Sequence, residues 1–132
     1  EIGIHTHMIP TFKEEASAYR ACKIAINLSH FDYGRYSSDR MYRIMGTGAF
    51  CLSHNYAGLP LDFTAGRHLD VWSTLDELVH KIRYYLDNTE ERQQIAAFGC
   101  MYVRQNFAWE NFAKELKEVM YKKQSPYQQQ QQ

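Results

Sequence analysis

The segment 40–52 constrains the fold of this chain more than any other part of its sequence. Its first half carries three apolar residues at helical spacing, Met41, Ile44 and Met45, and Gly48 stands where a helix needs a left-handed residue after its last turn. The four residues after Gly48 are all apolar, which is typical of a strand that is buried on both faces. A helix that passes through a glycine into such a strand predicts one turn of a parallel α/β sheet, whose ligands bind at the carboxyl ends of the strands.

Strand and helix patterns alternate along the rest of the chain. The predicted strands cover residues 1–5, 23–29, 49–53 and 68–72, and the predicted helices cover 12–21, 38–47, 75–88, a segment from 89 onward, and 109–121. Thr11 with Glu14, and Thr74 with Glu77, have the spacing of helix capping boxes. Residues 54–66 carry two glycines and a proline and are expected to be irregular. The repeated order predicts an α/β fold with a mostly parallel sheet, right-handed crossovers and C-terminal helices.

Composition narrows the class of protein. A chain of 132 residues with 45% hydrophobic content can bury one core, which indicates a single domain. Fifteen basic and fifteen acidic residues give no net charge, which argues against a general nucleic-acid binder or a polybasic membrane anchor. No apolar run approaches the roughly 20 residues of a transmembrane segment, and no signal peptide is evident. Cys22, Cys51 and Cys100 lack C-x-x-C spacing and lie in apolar stretches, so we expect reduced, buried thiols in a cytoplasmic protein.

Both ends of the sequence look cut or artificial. The chain opens at Glu1 without a methionine, and Tyr127 is followed by five glutamines, which cannot build a core. We therefore expect the sequence to be an excerpt of a longer protein. The predicted domain covers residues 1–123, and residues 124–132 are expected to form a disordered or artificial Gln-rich tail.

Four segments together carry a resemblance to a known family: 21–29, 39–50, 78–87 and 107–109. In order and spacing they resemble the C-terminal nucleotide-sugar-binding half of GT-B glycosyltransferases, and most closely the spore-maturation type. The resemblance extends over roughly residues 9–121. It implies a partial Rossmann-like parallel sheet flanked by helices, which holds a nucleoside-diphosphate sugar donor and depends on no metal or other cofactor.

The resemblance also implies what this chain lacks. In the family, an N-terminal domain brings the acceptor and usually the catalytic base, and the C-terminal domain begins with two strands that precede those predicted here. We therefore expect a missing N-terminal domain, an unknown acceptor, and no sugar transfer by this chain alone.

Ser37, Ser38 and Arg40 lie at the predicted start of a helix that follows a strand, and one of the two serines is the expected helix cap. Free backbone N–H groups, hydroxyls and a guanidinium at such a place suit a diphosphate. The alternative is an ordinary helix cap with a surface arginine. Gly34 and Arg35, in the loop just before, are assigned to the same donor site.

Two arginines occupy positions where the resemblance implies glutamates. Retaining members of the family carry one glutamate near the donor sugar and a second, five residues before the glycine, that holds the nucleotide ribose. Counting back from Gly48 gives Arg43 for the second position and Arg35 for the first. Arginine cannot accept a hydrogen bond from a ribose hydroxyl. Either the donor is held differently here, with Arg43 paired to a phosphate or to an acid such as Asp39 or Asp62, or donor binding has been lost.

Two further loops are assigned to the donor through the resemblance. Met8 and Ile9 lie where such enzymes cradle the nucleotide base, and Tyr56 and Gly58 lie where they present loop residues to the sugar. A surface turn held by Phe63 is the alternative for the second loop. The two histidines before Met8 have no evident third ligand, so no metal site is predicted.

Trp109 resembles the aromatic residue that precedes the terminal helix of the family, and we interpret it as a packing residue. The sequence has no Ser-His-Asp set, Walker loop or dinucleotide fingerprint. Two functions stay open: a glycosyltransferase that binds a nucleoside-diphosphate sugar, and a non-catalytic glycosyltransferase-like interaction or scaffolding module. A response-regulator-like or other flavodoxin-type α/β domain is disfavoured because no acidic cluster follows the first strand.

Overall fold

The computed structural model describes residues 11–28, Gly34 and 36–128. Within these residues the elements are, in chain order, α1 (Phe12–Ala21), β1 (Ala25–Asn27), α2 (Asp39–Gly46), β2 (Cys51–His54), α3 (Leu59–Asp62), β3 (Asp70–Trp72), α4 (Leu75–Asp87), α5 (Thr89–Asn106) and α6 (Trp109–Gln128). The strand predicted for residues 1–5 lies outside the described residues.

The three described strands form a parallel sheet in the order β1-β2-β3. Asn27 lies opposite Ser53 in the first pair, and Leu52 lies opposite Asp70 in the second. Helices flank the sheet, and two further helices follow at the C-terminus. The predicted α/β class is confirmed, and the arrangement is consistent with a partial Rossmann-like fold. The carboxyl ends of all three strands meet at one edge, which is where ligands of such sheets bind.

The turn from α2 into β2 has the predicted form. Met41, Ile44 and Met45 are each at most 1% exposed, because their stripe packs against the sheet. Gly48 has a φ of 87°, and its N–H donates to the carbonyl of Met45 at 3.0 Å. This left-handed residue ends the helix and turns the chain into a fully buried strand.

The predicted helix caps are confirmed. The hydroxyl of Thr11 accepts from the N–H of Glu14 at 3.3 Å and donates to its carboxylate at 2.7 Å. The hydroxyl of Thr74 accepts from the N–H of Glu77 at 3.2 Å, and the Glu77 carboxylate accepts from the N–H of Ser73 at 2.8 Å. Local side-chain chemistry therefore fixes the starts of α1 and α4.

The core has one cluster on each face of the sheet. The first holds the stripe of α2 together with Ala25, Cys51 and Val103. The second holds Phe50, Leu52, Trp72, Tyr85, Ile95 and Ala96. α5 contributes to both clusters, with Val103 in the first and Ile95 and Ala96 in the second.

Several boundaries differ from the prediction. The strands are shorter, with three, four and three residues, because only these residues have a strand beside them to pair with. The segment 54–66 is not wholly irregular, since it contains α3, where Pro60 is tolerated in the first helical turn. α6 runs to Gln128, beyond the predicted end at Tyr121. Of the three cysteines expected to be buried, only Cys51 is: Cys22, at the end of α1, is exposed, and Cys100 is half-buried.

None of the described helices has both the length and the apolar composition that crossing a bilayer requires. The three cysteines are free thiols, and burial raises the pKa of Cys51 to about 12.

α5 passes very close to the turn before β3 at Gly99. A Cβ atom at Gly99 would lie 2.0 Å from the carbonyl oxygen of His68 and 3.1 Å from the terminal methyl of Met45. One turn further along α5, the ring of Tyr102 stacks on His68 with centroids 4.0 Å apart. The missing side chain therefore allows α5 to approach the backbone of this turn.

We expect Gly99→Ala to lower the free energy of unfolding by about 1–3 kcal/mol, because a backbone carbonyl must move to admit the methyl group. Gly46→Ala is the matched control, since nothing lies within 4 Å of its added Cβ, and it should be neutral or slightly stabilising. Urea unfolding of both variants measures the difference. Equal stabilities would contradict the close approach at Gly99.

Asp70 is a buried carboxylate at the start of β3 that accepts hydrogen bonds from three donors. The hydroxyl of Tyr85 donates to Oδ2 at 2.7 Å, and Nζ of Lys81 and the N–H of Val71 donate to Oδ1 at 3.2 and 2.9 Å. Burial and the bond to Asp70 raise the pKa of Tyr85, so its hydroxyl remains a donor at neutral pH. These bonds attach α4 to the edge strand β3.

Tyr85 and its neighbour Tyr84 allow the contribution of the buried Tyr85–Asp70 hydrogen bond to stability to be measured. Tyr85→Phe should lower the free energy of unfolding by about 1.5–3 kcal/mol, because the Asp70 carboxylate loses a donor that water cannot replace. Tyr84 also donates to a carboxylate, that of Glu91 at 2.6 Å, but this bond is exposed. Tyr84→Phe should therefore change stability by less than about 0.5 kcal/mol. Similar losses for both variants, measured by urea unfolding, would show that burial is not what gives the bond its value.

Candidate functional site

The turns at the carboxyl edge of the sheet are tied together by backbone hydrogen bonds. The N–H of Asn55, just after β2, donates to the carbonyl of Trp72 at the end of β3 at 2.9 Å. The N–H of Gly58 donates to the carbonyl of Gly34, which follows β1, at 2.7 Å. Gly34 has a φ of 39°, a backbone value that favours glycine. The structure thus brings together Gly34 and Gly58, two of the residues assigned to the donor.

α2 begins at this edge with the predicted cap. Ser38 has extended backbone, and its hydroxyl accepts from the N–H of Arg40 at 3.3 Å. Arg40 is exposed, and its Nη1 lies 3.5 Å from the carbonyl oxygen of Leu28, the residue after β1. The first N–H groups of a helix carry partial positive charge, and the guanidinium adds a full charge beside them. Asp39, the first residue of the helix, adds an exposed carboxylate, which lies 3.6 Å from the Arg43 guanidinium further along α2. The start of α2 therefore offers groups that suit an anion, and the charge of Asp39 partly offsets them.

Ser37 and Tyr56 are neighbours close to the start of α2. The hydroxyls of Ser37 and Tyr42 are 2.9 Å apart and share a hydrogen bond. Tyr56 is buried, and burial raises its pKa to about 12, although the nearby Ser37 hydroxyl acts in the opposite direction. No described residue gives the Tyr56 hydroxyl a partner in good hydrogen-bond geometry. Tyr56 is therefore a protonated hydroxyl with unused hydrogen-bonding capacity.

Sequence reasoning missed a buried polar pair at the ends of β1 and β2. Nδ2 of Asn27 donates to the hydroxyl of Ser53 at 3.0 Å, and that hydroxyl donates its one proton to the carbonyl of His54 at 3.1 Å. Because Ser53 uses its proton for His54, it cannot donate to Asn27. Oδ1 of Asn27 is buried and has no partner among the described residues. The available signal was a polar residue at the end of each apolar strand, which is unusual in a fully buried sheet.

Arg43 lies one turn further along α2 and faces α1. Its guanidinium is 3.6 Å from the carboxylate of Glu15 and 3.6 Å from that of Asp39. Asp39 was one of the acids expected as a partner, whereas Glu15 was not predicted. The arginine that stands in place of the expected glutamate is therefore paired with acids of this chain.

The other residues assigned to the donor, Arg35, Met8 and Ile9, lie outside the described residues. Among the residues that the structure describes, no group of three or more His, Cys, Asp or Glu side chains is placed to hold a metal ion.

A second concave surface, the α2–α6 groove, lies between α2, the end of α5 and the start of α6 and has a volume of about 850 Å³. Trp109 lines this groove and is 81% exposed, so its interpretation as a packing residue is wrong. The reason is that the apolar side of α6, including Phe112 and Leu116, is not covered by any described element. The spacing of apolar residues in the sequence predicted an amphipathic helix here, but it did not indicate what packs against the apolar side.

Comparison with known proteins shows which family this sequence belongs to. The sequence model of a family described as glycosyl transferase-like matches residues 5–118, which is most of the chain. Searches of curated proteins and of solved structures found no match. The matched range contains all three described strands, the start of α2 and the residues of the α2–α6 groove. On this evidence the chain belongs to the glycosyl transferase-like family.

Proposed function

We propose that this chain binds a nucleoside-diphosphate sugar at the carboxyl edge of its sheet and serves transfer of the sugar to an acceptor. The observation that carries the proposal is the start of α2, where the Ser38 cap, the first N–H groups of the helix and Arg40 lie together beside the end of β1. Membership of the glycosyl transferase-like family supports a transferase-type activity. The diphosphate is the part of such a donor that an electropositive helix start would bind.

The chemistry of sugar transfer explains why this position matters. The oxygen of an acceptor hydroxyl attacks the anomeric carbon, and its proton passes to a base. The bond between that carbon and the diphosphate oxygen breaks, and the diphosphate leaves with the electron pair. Negative charge therefore grows on the diphosphate, where the helix start and Arg40 stabilise it. We place the base and the acceptor on the N-terminal domain of a GT-B enzyme whose C-terminal half corresponds to this chain.

Other groups at the edge have compatible roles. The buried Oδ1 of Asn27 and the hydroxyl of Tyr56 offer unused hydrogen-bonding capacity to a polar ligand. Gly34 and Gly58 allow backbone to approach the donor closely. We assign the nucleotide base to the loop that contains Met8 and Ile9, and the sugar to the loop around Tyr56. Ser37 and Arg35 complete the proposed surroundings of the diphosphate.

Arg43 enters this proposal only indirectly. Its charge is already met by Glu15 and Asp39, so it fixes α1 against α2 instead of gripping phosphate. This observation favours a second candidate, a non-catalytic glycosyltransferase-like module that has lost donor binding. Such a module would keep the ion pairs of Arg43 and the Ser38 cap for stability but would bind no nucleoside diphosphate.

Calorimetric titration with UDP and with GDP separates the two candidates. We expect one of the nucleotides to bind, and Arg40→Ala to weaken that binding at least tenfold. The reason is that a hydrogen bond between charged groups contributes about 1.5–3 kcal/mol, and about 1.4 kcal/mol is a tenfold change. Arg83→Ala removes the same charge from an exposed position of α4 and should leave the affinity unchanged.

Two results would count against the donor site. Absence of binding by both nucleotides would favour the non-catalytic module. Equal losses for the Arg40 and Arg83 variants would show that only the overall charge of the chain matters, and would remove Arg40 from the site.

A further inference from the structure

The α2–α6 groove is a binding surface that the donor proposal does not use. Its volume of about 850 Å³ lies within the roughly 300–1,000 Å³ that is usual for small-molecule sites. Its walls combine aromatic side chains with amides and carboxylates. Each of these groups favours a particular class of ligand.

An exposed tryptophan forms part of one wall. Trp109 is 81% exposed, and Phe112 meets it at 85° with ring centroids 5.9 Å apart. At this exposure at least one face of the indole is open, while Phe112 supports the ring from the side. The face of an aromatic ring is negative, so it attracts the partially positive C–H bonds on the face of a sugar ring. A large exposed aromatic surface of this kind marks a place where a ligand or partner binds.

Two asparagine amides in the groove are oriented by the backbone. Nδ2 of Asn106 donates to the carbonyl of Tyr102 at 2.9 Å, and Nδ2 of Asn111 donates to the carbonyl of Gln105 at 2.5 Å. These bonds hold each amide by its NH₂ group and leave Oδ1 as an acceptor and one N–H as a donor. A hydroxyl group can satisfy both at once, because it donates and accepts. Amides placed in this way suit a ligand with neighbouring hydroxyls.

The charges around the groove disfavour an anion. Asp39 and Glu115 contribute carboxylates, and Arg43 is the basic side chain among the lining residues. Glu15 adds a further carboxylate 3.6 Å from Arg43, so Asp39, Glu115 and Glu15 together outweigh the single guanidinium. A nucleotide or an acidic polysaccharide would therefore meet net repulsion, whereas a neutral ligand would not.

We propose that the α2–α6 groove binds an uncharged oligosaccharide, with one pyranose ring packed on Trp109 and its hydroxyls bonded to Asn106 and Asn111. This site goes beyond the donor site at the start of α2. It holds whether or not the chain binds a nucleotide, because it uses different side chains and the opposite preference for charge.

Titration of the ¹⁵N-labelled chain, followed by NMR, tests the proposal. The probes are maltotriose, cellotriose and triacetylchitotriose, with UDP as the anionic comparison. We expect at least one neutral trisaccharide to shift the amide signals of residues 106–112, and Trp109→Ala to weaken that binding at least tenfold. Trp109→Phe, which keeps an aromatic ring, should retain part of the affinity.

Two control variants separate this site from general surface effects and from the donor site. Leu75→Ala removes an apolar side chain that is 73% exposed on α4, and it should leave trisaccharide binding unchanged. Arg40→Ala should also leave it unchanged, so a failure of the donor proposal would not appear as a failure here. Because Trp109 is exposed, its variants should keep the amide spectrum of the folded chain.

Three results would overturn the proposal. The first is no shift at residues 106–112 with any of the three trisaccharides. The second is a shift of these residues by UDP alone. The third is a dimer in sedimentation experiments that Trp109→Ala dissociates and that no trisaccharide competes with, since the groove and α6 would then form a contact between two copies of the chain.

Discussion

The packing of α2 against the sheet fixes where the start of this helix lies at the carboxyl edge. Met41, Ile44 and Met45 are almost wholly buried, and burial of three such side chains favours this position by roughly 1.5–3 kcal/mol each. Gly48 then turns the chain directly into β2. The start of the helix, with the Ser38 cap and Arg40, therefore lies beside the end of β1. A change that loosens this stripe would displace both the proposed donor site and one wall of the α2–α6 groove.

Features that depend on neighbouring residues in the sequence could be predicted. The caps at Thr11 and Thr74, the buried stripe of α2 and the left-handed Gly48 are each set within one or two helical turns, and all four are confirmed. The ends of the strands were less predictable, because a strand ends where its partner stops offering hydrogen bonds. The length of α6 was also underestimated, since no glycine or proline before residue 126 marks its end.

The site could be predicted only where it is local. The serine pair predicted where α2 begins, and this placed Arg40 in the first turn of the helix. The partner of Arg43 on α1 and the pairing of Asn27 with Ser53 join residues 26 to 28 positions apart, so only the packed fold brings them together. The exposure of Trp109 is also a tertiary property. An amphipathic pattern predicts a face that seeks a partner, and the pattern is the same whether that partner is the core, a ligand or another protein.

The two proposed sites share the first turn of α2. Asp39 is the first residue of the helix and also lines the α2–α6 groove, while Ser38 and Arg40 on either side of it form the helix start. With a rise of about 1.5 Å per residue, Arg43 stands only roughly 6 Å further along the axis, so the groove runs along the flank of the helix whose end would hold the diphosphate. Because α2 is held rigidly by its buried stripe, the relation between the two sites is set by the fold and does not depend on a moving loop. An oligosaccharide in the groove would thus lie beside the donor and not in its place, and the acidic residues there would keep an anionic donor out of the groove.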